Sequence, residues 1–252
     1  MITLKNPEQI ALMRKAGRIT GEALCVAYEA IRPGISTKEL DEKIGAYITR
    51  CHAKPTFLGY GGFPGNACIS VNDQVIHGIP SRQVILQEGD IVKIDVGASI
   101  DGYTGDSAKT FAVGKISDAA QRLIDATRES FYEAVKFAVH GGRVGDIGAA
   151  VDHYVRGYGY SVVREYVGHG VGAELHEDPE VPNYGTPGHG VRLYNGMTIA
   201  IEPMVNIGGA AVKRQKDGWT VVTADGSLSA HYEHSVAITP DGPVLLTDVG
   251  LL

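Results

Sequence analysis

Cysteine is scarce in this chain: Cys25, Cys51 and Cys68 are the only three among 252 residues. The number is odd and the spacing is not that of metal ligands. Neither a disulfide framework nor a thiolate zinc site is indicated, and a reduced cytoplasm is the expected setting. Long apolar runs are also missing, and no stretch approaches the ~18 residues a membrane span needs. The opening MITLKNPEQIALMRKAGRI is mixed and polar and has no apolar block of the kind a secretory signal carries. Charge of one sign is not in large excess. Lys and Arg number 23 against 29 Asp and Glu, a net of −6, so the whole-molecule field gives no reason to expect a nucleic-acid partner. There is no low-complexity segment and no evident linker. What is abundant is glycine, 33 residues of 252, against a usual share of about 7%. The excess falls in GYGGFPG, VGHGVG and NYGTPGHG, which read as loops shaping a site.

A coarse pass along the chain predicts an α+β protein. A first helix is capped by Asn6 with Pro7 at its first position, and Ile10, Met13, Ile19, Leu24 and Ile31 give it an apolar stripe. Ser36 and Glu39 form a capping box for a second helix running to about Arg50. Further helices are expected near 118–139 and 145–156. Strands are expected near 68–72, 91–97, 103–113, 161–167, 197–206, 219–223 and 232–239. The order helix, helix, strands thus occurs twice, at an offset of 107 residues. Under that offset Gly34 falls on Gly141, Leu40 on Ile147, Ile44 on Val151, Leu86 on Leu193, Gly89 on Gly196 and Ile94 on Ile201. Asp95 falls on Glu202. Two similar halves about a pseudo-twofold axis are therefore expected, spanning about 1–114 and 115–252 of one domain, each sending acids to a shared centre.

Five residues carry the chemistry: Asp95 in IVKIDVG, Asp106 in GYTGDSAKTF, His169 in REYVGHGVG, Glu202 in MTIAIEPM and Glu233 in AHYEHSVAI. Carboxylates in apolar strands are rare unless paired or bound to metal. Asp101-Gly102 is a two-residue hairpin turn signal. It pairs Ile100 with Tyr103 and Asp95 with Ala108, which makes Asp106 a diagonal neighbour of Asp95 on one face. A salt bridge to Arg or Lys is the plain alternative for Glu202 or Glu233 taken singly. The glycines flanking His169 permit close backbone approach. Four carboxylates and one imidazole suit Mn(II), Fe(II), Co(II) or Zn(II), with no means of choosing among them. His77 in IHGIP and His176 in LHEDP look poised to hydrogen-bond a substrate or a developing oxyanion. His52, His140, His153, His189, His231 and His234 read as structural or surface residues.

The stretches PGISTKELD, FPGNACISVNDQVIHGIP, GDIVKIDVGASIDGYTGDSAKTF, VVREYVGHGVGAELHEDP, NGMTIAIEPM and AHYEHSVAIT together resemble the type I methionine aminopeptidases along nearly the whole chain. The resemblance implies the "pita-bread" fold around a dinuclear metal site. In it Asp95 chelates one ion, Asp106 and Glu233 bridge two divalent cations, and His169 and Glu202 complete the other shell. It implies removal of the N-terminal methionine of nascent polypeptides ahead of a small second residue. Glu202 would shuttle a proton, His176 stabilise the oxyanion and His77 bind the next amide. The implied methionine pocket is Tyr60, Phe63, Cys68, Leu175 and Trp219, with Phe57 nearby. Phe57 and Leu175 depart from the family pattern, where a smaller residue and a phenylalanine are common, and this bears on pocket shape. The short interval from Glu202 to Glu233 fits type I, and the chain reads as the short bacterial form. A cytoplasmic monomer is expected, with no membrane or nucleic acid required and a ribosome contact left open. The rival readings are a proline-directed relative and a scaffold that has lost its chemistry; the latter usually lacks ligands that are present here.

Overall fold

The computed structural model describes residues 1–250. Helix α1 (Pro7–Ala30) begins at a reciprocal cap: Gln9 N donates to Asn6 Oδ1 and Asn6 N to Gln9 Oε1, both at 2.9 Å. Helix α2 (Thr37–Arg50) opens on the same device, with Glu39 N donating to Ser36 Oγ at 3.2 Å and Ser36 N to Glu39 Oε2 at 3.0 Å. Helices α3 (Asp118–Val135) and α4 (Val144–Arg156) complete the set. The expected 118–139 helix stops early. Phe137 N and Ala138 N turn back onto Ala134 O and Val135 O at 3.0 Å each, and the chain leaves through Gly141 at φ +89°.

The strands are β1 (Lys54–Pro55), β2 (Ala67–Val71), β3 (Gln74–Ile76), β4 (Ile91–Ile100), β5 (Tyr103–Ala112), β6 (Ser161–Val162), β7 (Gly168–Gly170) and β8 (Glu177–Val181). They continue with β9 (Thr198–Ile201), β10 (Met204–Asn206), β11 (Val212–Arg214), β12 (Val221–Thr223), β13 (Ser229–His231), β14 (His234–Thr239) and β15 (Gly242–Leu245). In one sheet β4 pairs with β5 on one side and with β1 and β2 on the other. A five-stranded sheet runs β15-β14-β9-β7-β8, and two three-stranded sheets run β13-β10-β6 and β11-β12-β3. The expected strand 197–206 is broken into β9 and β10, and the expected strand 232–239 begins late, at His234. Pro203 has no N–H to give a ladder, and the interruption falls at Glu202-Pro203 and at Tyr232-Glu233, with Tyr232 N reaching Pro203 O at 3.2 Å. The 161–167 stretch is strand only over its first two residues.

The internal repeat is visible in the backbone. Gly34 N donates to Leu86 O at 2.8 Å, and Gly141 N donates to Leu193 O at 2.9 Å. The bridge Ser36–Ile85 recurs as Arg143–Arg192. Gly34, Gly89, Gly141 and Gly196 have φ of +90°, +94°, +89° and +90°, a region that favours residues without a Cβ. Register repeats too: Ile94 faces Lys109 as Ile201 faces His234, and Gly97 faces Asp106 as Met204 faces His231. Each half has its own apolar core. One packs α1 and α2 on β4 through Leu24, Leu40, Ile44, Ile48 and Ile94. The other packs α3 and α4 on the second set of strands through Leu123, Phe131, Ile147, Val151 and Ile199.

Apolar clusters such as Met13 with Val171, Ala237 and Leu246 span the seam between the halves, and hydrogen bonds tie it at its centre. Glu233 N donates to Ala108 O at 2.8 Å, Ser107 Oγ to Glu233 O at 2.6 Å, and Asp106 N to Ser235 Oγ at 3.0 Å. The buried Nζ of Lys93 donates to Asn72 O at 2.6 Å and to Ser229 O at 3.0 Å, one carbonyl from each half. These bonds set β5 against β14 and bring the acids of both halves to one place.

Candidate metal centre

Asp95 and Asp106 come from the β4–β5 hairpin. Its turn is Asp101-Gly102, with φ of +52° and +79°, the pairing that suits a tight hairpin. Ile100 faces Tyr103 and Asp95 faces Ala108, the register expected from the turn. The two aspartates consequently sit diagonally on one face, with their carboxyl groups in direct contact. His169 sits on β7 between two glycines that lie against neighbouring chain: a Cβ at Gly168 would stand 2.3 Å from Ala200 O, and one at Gly170 2.2 Å from Asp178 O. His169 Nδ1 donates to Gly170 O at 2.8 Å. A carbonyl can only accept, so the Nε2 lone pair is left facing Asp106 Oδ2 at 3.6 Å and Glu202 Oε1 at 3.5 Å. Glu202 and Glu233 stand at the two strand breaks. The interruption frees each carboxylate from the alternation of a regular ladder, and Asn183 Nδ2 holds the Glu202 carbonyl at 2.9 Å. The structure brings all five sequence-selected residues to one cavity of about 230 Å³.

Ligating atoms of Asp106, His169 and Glu233 lie within 4.8 Å of one another. Asp95 Oδ1, Asp106 Oδ1 and Glu233 Oε1 are buried and lack a hydrogen-bond partner among the described residues. Burial pushes the carboxyl groups of Asp95, Glu202 and Glu233 well above the ordinary range, and the other acids of the cluster add to it. Burial also raises Asp106. Four such groups cannot all ionise together without countercharge. Divalent cations supply that charge and satisfy the orphaned oxygens, so the residues present fit a metal centre.

The remaining sequence-selected groups line the same cavity. Burial lowers His77 to about 4 and also lowers His176, so both imidazoles are neutral at neutral pH. His176 Nδ1 is 2.7 Å from the Tyr60 hydroxyl, and its ring lies 4.2 Å from that of His169. Phe57, Phe63, Cys68 and Leu175 form a small buried cluster with Ile79 and Trp219. Phe63 and Trp219 meet edge to face at 5.2 Å. Burial raises the Cys68 thiol well above its ordinary value, so it acts as a soft wall and not as a nucleophile. Tyr60 is 43% exposed and stands at the mouth. Gly61, in the glycine-rich stretch read above as shaping a site, lines the cavity, and two of its neighbours escape the sequence reading: Tyr166, whose ring meets His77 edge-on at 5.7 Å, and His231. His231, read above as structural or surface, is 1% exposed, and its Nε2 lies 3.7 Å from Glu202 Oε2. Its place two residues before Glu233 is the available signal. His234 is structural, held between Tyr232 and Thr247.

Residues 11–240 match the model of metallopeptidase family M24. The chain is 53% identical over 98% of its length to a methionine aminopeptidase of Clostridium acetobutylicum, covering 99% of that protein. It superposes on a methionine aminopeptidase structure from Thermotoga maritima with a TM-score of 0.97 at 45% identity, covering 98% of this chain and 100% of the other. A prolidase from Pyrococcus furiosus shares the fold at a TM-score of 0.77 and 25% identity; this chain is covered to 98%, but only 65% of the prolidase is matched. The two-half α+β architecture, the converging acids and these likenesses agree: the chain belongs to metallopeptidase family M24 and groups there with the methionine aminopeptidases.

Proposed function

We propose that this protein removes the N-terminal methionine from polypeptides and peptides, with preference for a small second residue. The two halves, about 1–114 and 115–252, act as one catalytic unit in the cytoplasm. The observation that carries this reading is a single cavity with two chemically distinct ends. One end is four buried carboxylates and an imidazole; the other is Phe57, Phe63, Cys68, Leu175 and Trp219. Aromatic rings and a buried thiol suit an unbranched thioether side chain.

Asp95 would hold one cation, Asp106 and Glu233 would be shared between two, and His169 and Glu202 would complete the second. Bound divalent ions supply Lewis-acid polarisation and an acidified water for attack on the first peptide carbonyl. Glu202 takes a proton from the attacking water and passes it to the departing amine. His176, neutral and oriented through Nδ1 by Tyr60, presents its other ring nitrogen to the developing oxyanion. His77 lies on the same wall beside Trp219, with ring centroids 6.3 Å apart, and holds the amide of the second residue. Mn(II), Fe(II), Co(II) and Zn(II) all suit the donor set.

The test is a peptide assay after metal reconstitution, comparing Met-Ala-Ser with an Xaa-Pro peptide and then varying the second residue. Release of methionine, falling as the second residue grows, is the expected result. Preference for the Xaa-Pro substrate would overturn the proposal.

A further inference from the structure

His231 is the one imidazole at this centre without a role above, and the internal repeat says why it is there. Asp106 faces Gly97 across β4 and β5, and His231 faces Met204 across β10 and β13. The first strands are related by 107 residues and the second by 125, so His231 is the pseudo-symmetry counterpart of Asp106. Like Asp106, it is drawn to the shared centre. It is fully enclosed, and neither ring nitrogen has a hydrogen-bond partner among the described residues. Its backbone is pinned, with Thr110 Oγ1 donating to His231 O at 2.8 Å.

The Glu202 carboxylate lies between two imidazoles. Oε1 faces His169 Nε2 at 3.5 Å and Oε2 faces His231 Nε2 at 3.7 Å. His169 spends its ring proton on Gly170 O, so it offers Glu202 no donor. We propose that His231 is a positioning residue for Glu202: it carries its proton on Nε2 and donates it to Glu202 Oε2, turning Oε1 toward His169. In the metal-loaded protein the Glu202 carboxylate is ionised and only accepts, which selects the Nε2–H tautomer. The present separation is about 0.8 Å beyond charge-assisted hydrogen-bond range, which a small rotation of the glutamate closes. Without this donor the carboxylate is free to turn away from the attacking water, and turnover falls while substrate still binds.

The inference rests on the proposed reaction for its kinetic half and on tautomer chemistry for its other half, so the two can fail separately. His231→Leu removes the donor, and His231→Gln restores an amide donor of similar reach. With Met-Ala-Ser, H231L is expected to lose tenfold or more in kcat with KM within about twofold and bound metal retained, and H231Q to recover kcat to within about threefold of wild type. Histidine 15N correlation spectra of the wild-type metal-loaded protein are expected to show His231 protonated at Nε2. Wild-type kcat in H231L, failure of H231Q to recover it, or an Nδ1–H tautomer in the spectra would each overturn the proposal. Should H231L fail to fold, the spectra and H231Q decide. Should wild type release no methionine, the proposed reaction falls and the tautomer measurement still judges this inference.

Discussion

At the scale of single residues, the centre is a set of groups held in states they would not choose alone. Glu233 shows the cost most directly. Its carboxyl is buried to 2% exposure, and burial together with Asp106, Glu202 and Asp95 raises its pKa well above 4.5. A carboxyl whose folded pKa exceeds its unfolded value weakens the fold as pH rises above the unfolded value, because the unfolded chain ionises freely and the folded one does not. In chelator, Glu233→Gln is therefore expected to stabilise the protein. The gain should be small at pH 5 and reach about 1–4 kcal/mol at pH 8, read from urea unfolding at the two pH values. The same substitution should abolish turnover and lower metal content; a variant less stable than wild type at pH 8 in chelator would contradict the charge argument. His77 makes a contrasting case, since it faces the cavity without touching the acids. His77→Ala is expected to lower kcat/KM by about 10²–10⁴ with metal content unchanged by elemental analysis.

At the scale of elements, what was legible in the sequence is what is decided locally. The caps at Asn6 and Ser36 and the Asp101-Gly102 turn need only a few neighbouring residues, and each forms as its residues dictate. Asn6→Ala and Ser36→Ala should each cost about 1 kcal/mol and lower the melting temperature by about 2–4 °C for a chain of this size, with kcat unchanged. A matching loss of turnover would mean these helix ends do more than start helices. The Asp95–Ala108 register followed from the turn alone, and with it the contact of Asp95 and Asp106. The misreadings have the opposite origin. Strand 197–206 looks continuous because its apolar pattern is, but the break at Glu202-Pro203 has its partner at Tyr232-Glu233, between strands distant in sequence, which also delays the expected strand 232–239 to His234. The brevity of β6 likewise depends on its pairing with distant β10, whereas α3 ends in a local turn of Phe137 and Ala138 onto Ala134 and Val135. The setting of His231 is non-local in the same way: it depends on Glu202 and on the strand register that makes it the mate of Asp106.

At the scale of the molecule, the metal centre also joins two halves. Asp95 and Asp106 come from the first, and His169, Glu202 and Glu233 from the second, while each half packs its own core. In the absence of cations the seam at this point consists of mutually repelling acids. Links across the seam that need no cation include the Glu233 N to Ala108 O bond, the pairing of β3 with β12 and the Lys93 Nζ shared by Asn72 O and Ser229 O. Cations that bind the folded protein and not the unfolded chain stabilise it by mass action, about 2.7 kcal/mol at a hundredfold excess over Kd. With ~2–4 °C per kcal/mol for a chain of this length, the melting temperature should rise by about 5–11 °C when Mn(II) or Co(II) is returned to chelated protein at that excess. The rise should be lost in Asp106→Asn, which removes one acid of the Asp106, His169 and Glu233 cluster. It should persist in Lys93→Met, which lowers both the chelated and the loaded melting temperatures together because it takes a donor from the buried Ser229 carbonyl and one of two from Asn72 O, which keeps Ser229 N at 3.2 Å. Scanning calorimetry with and without metal on the three proteins separates these outcomes. An undiminished metal-dependent rise in Asp106→Asn would mean that the cations hold the halves together somewhere other than at this cluster.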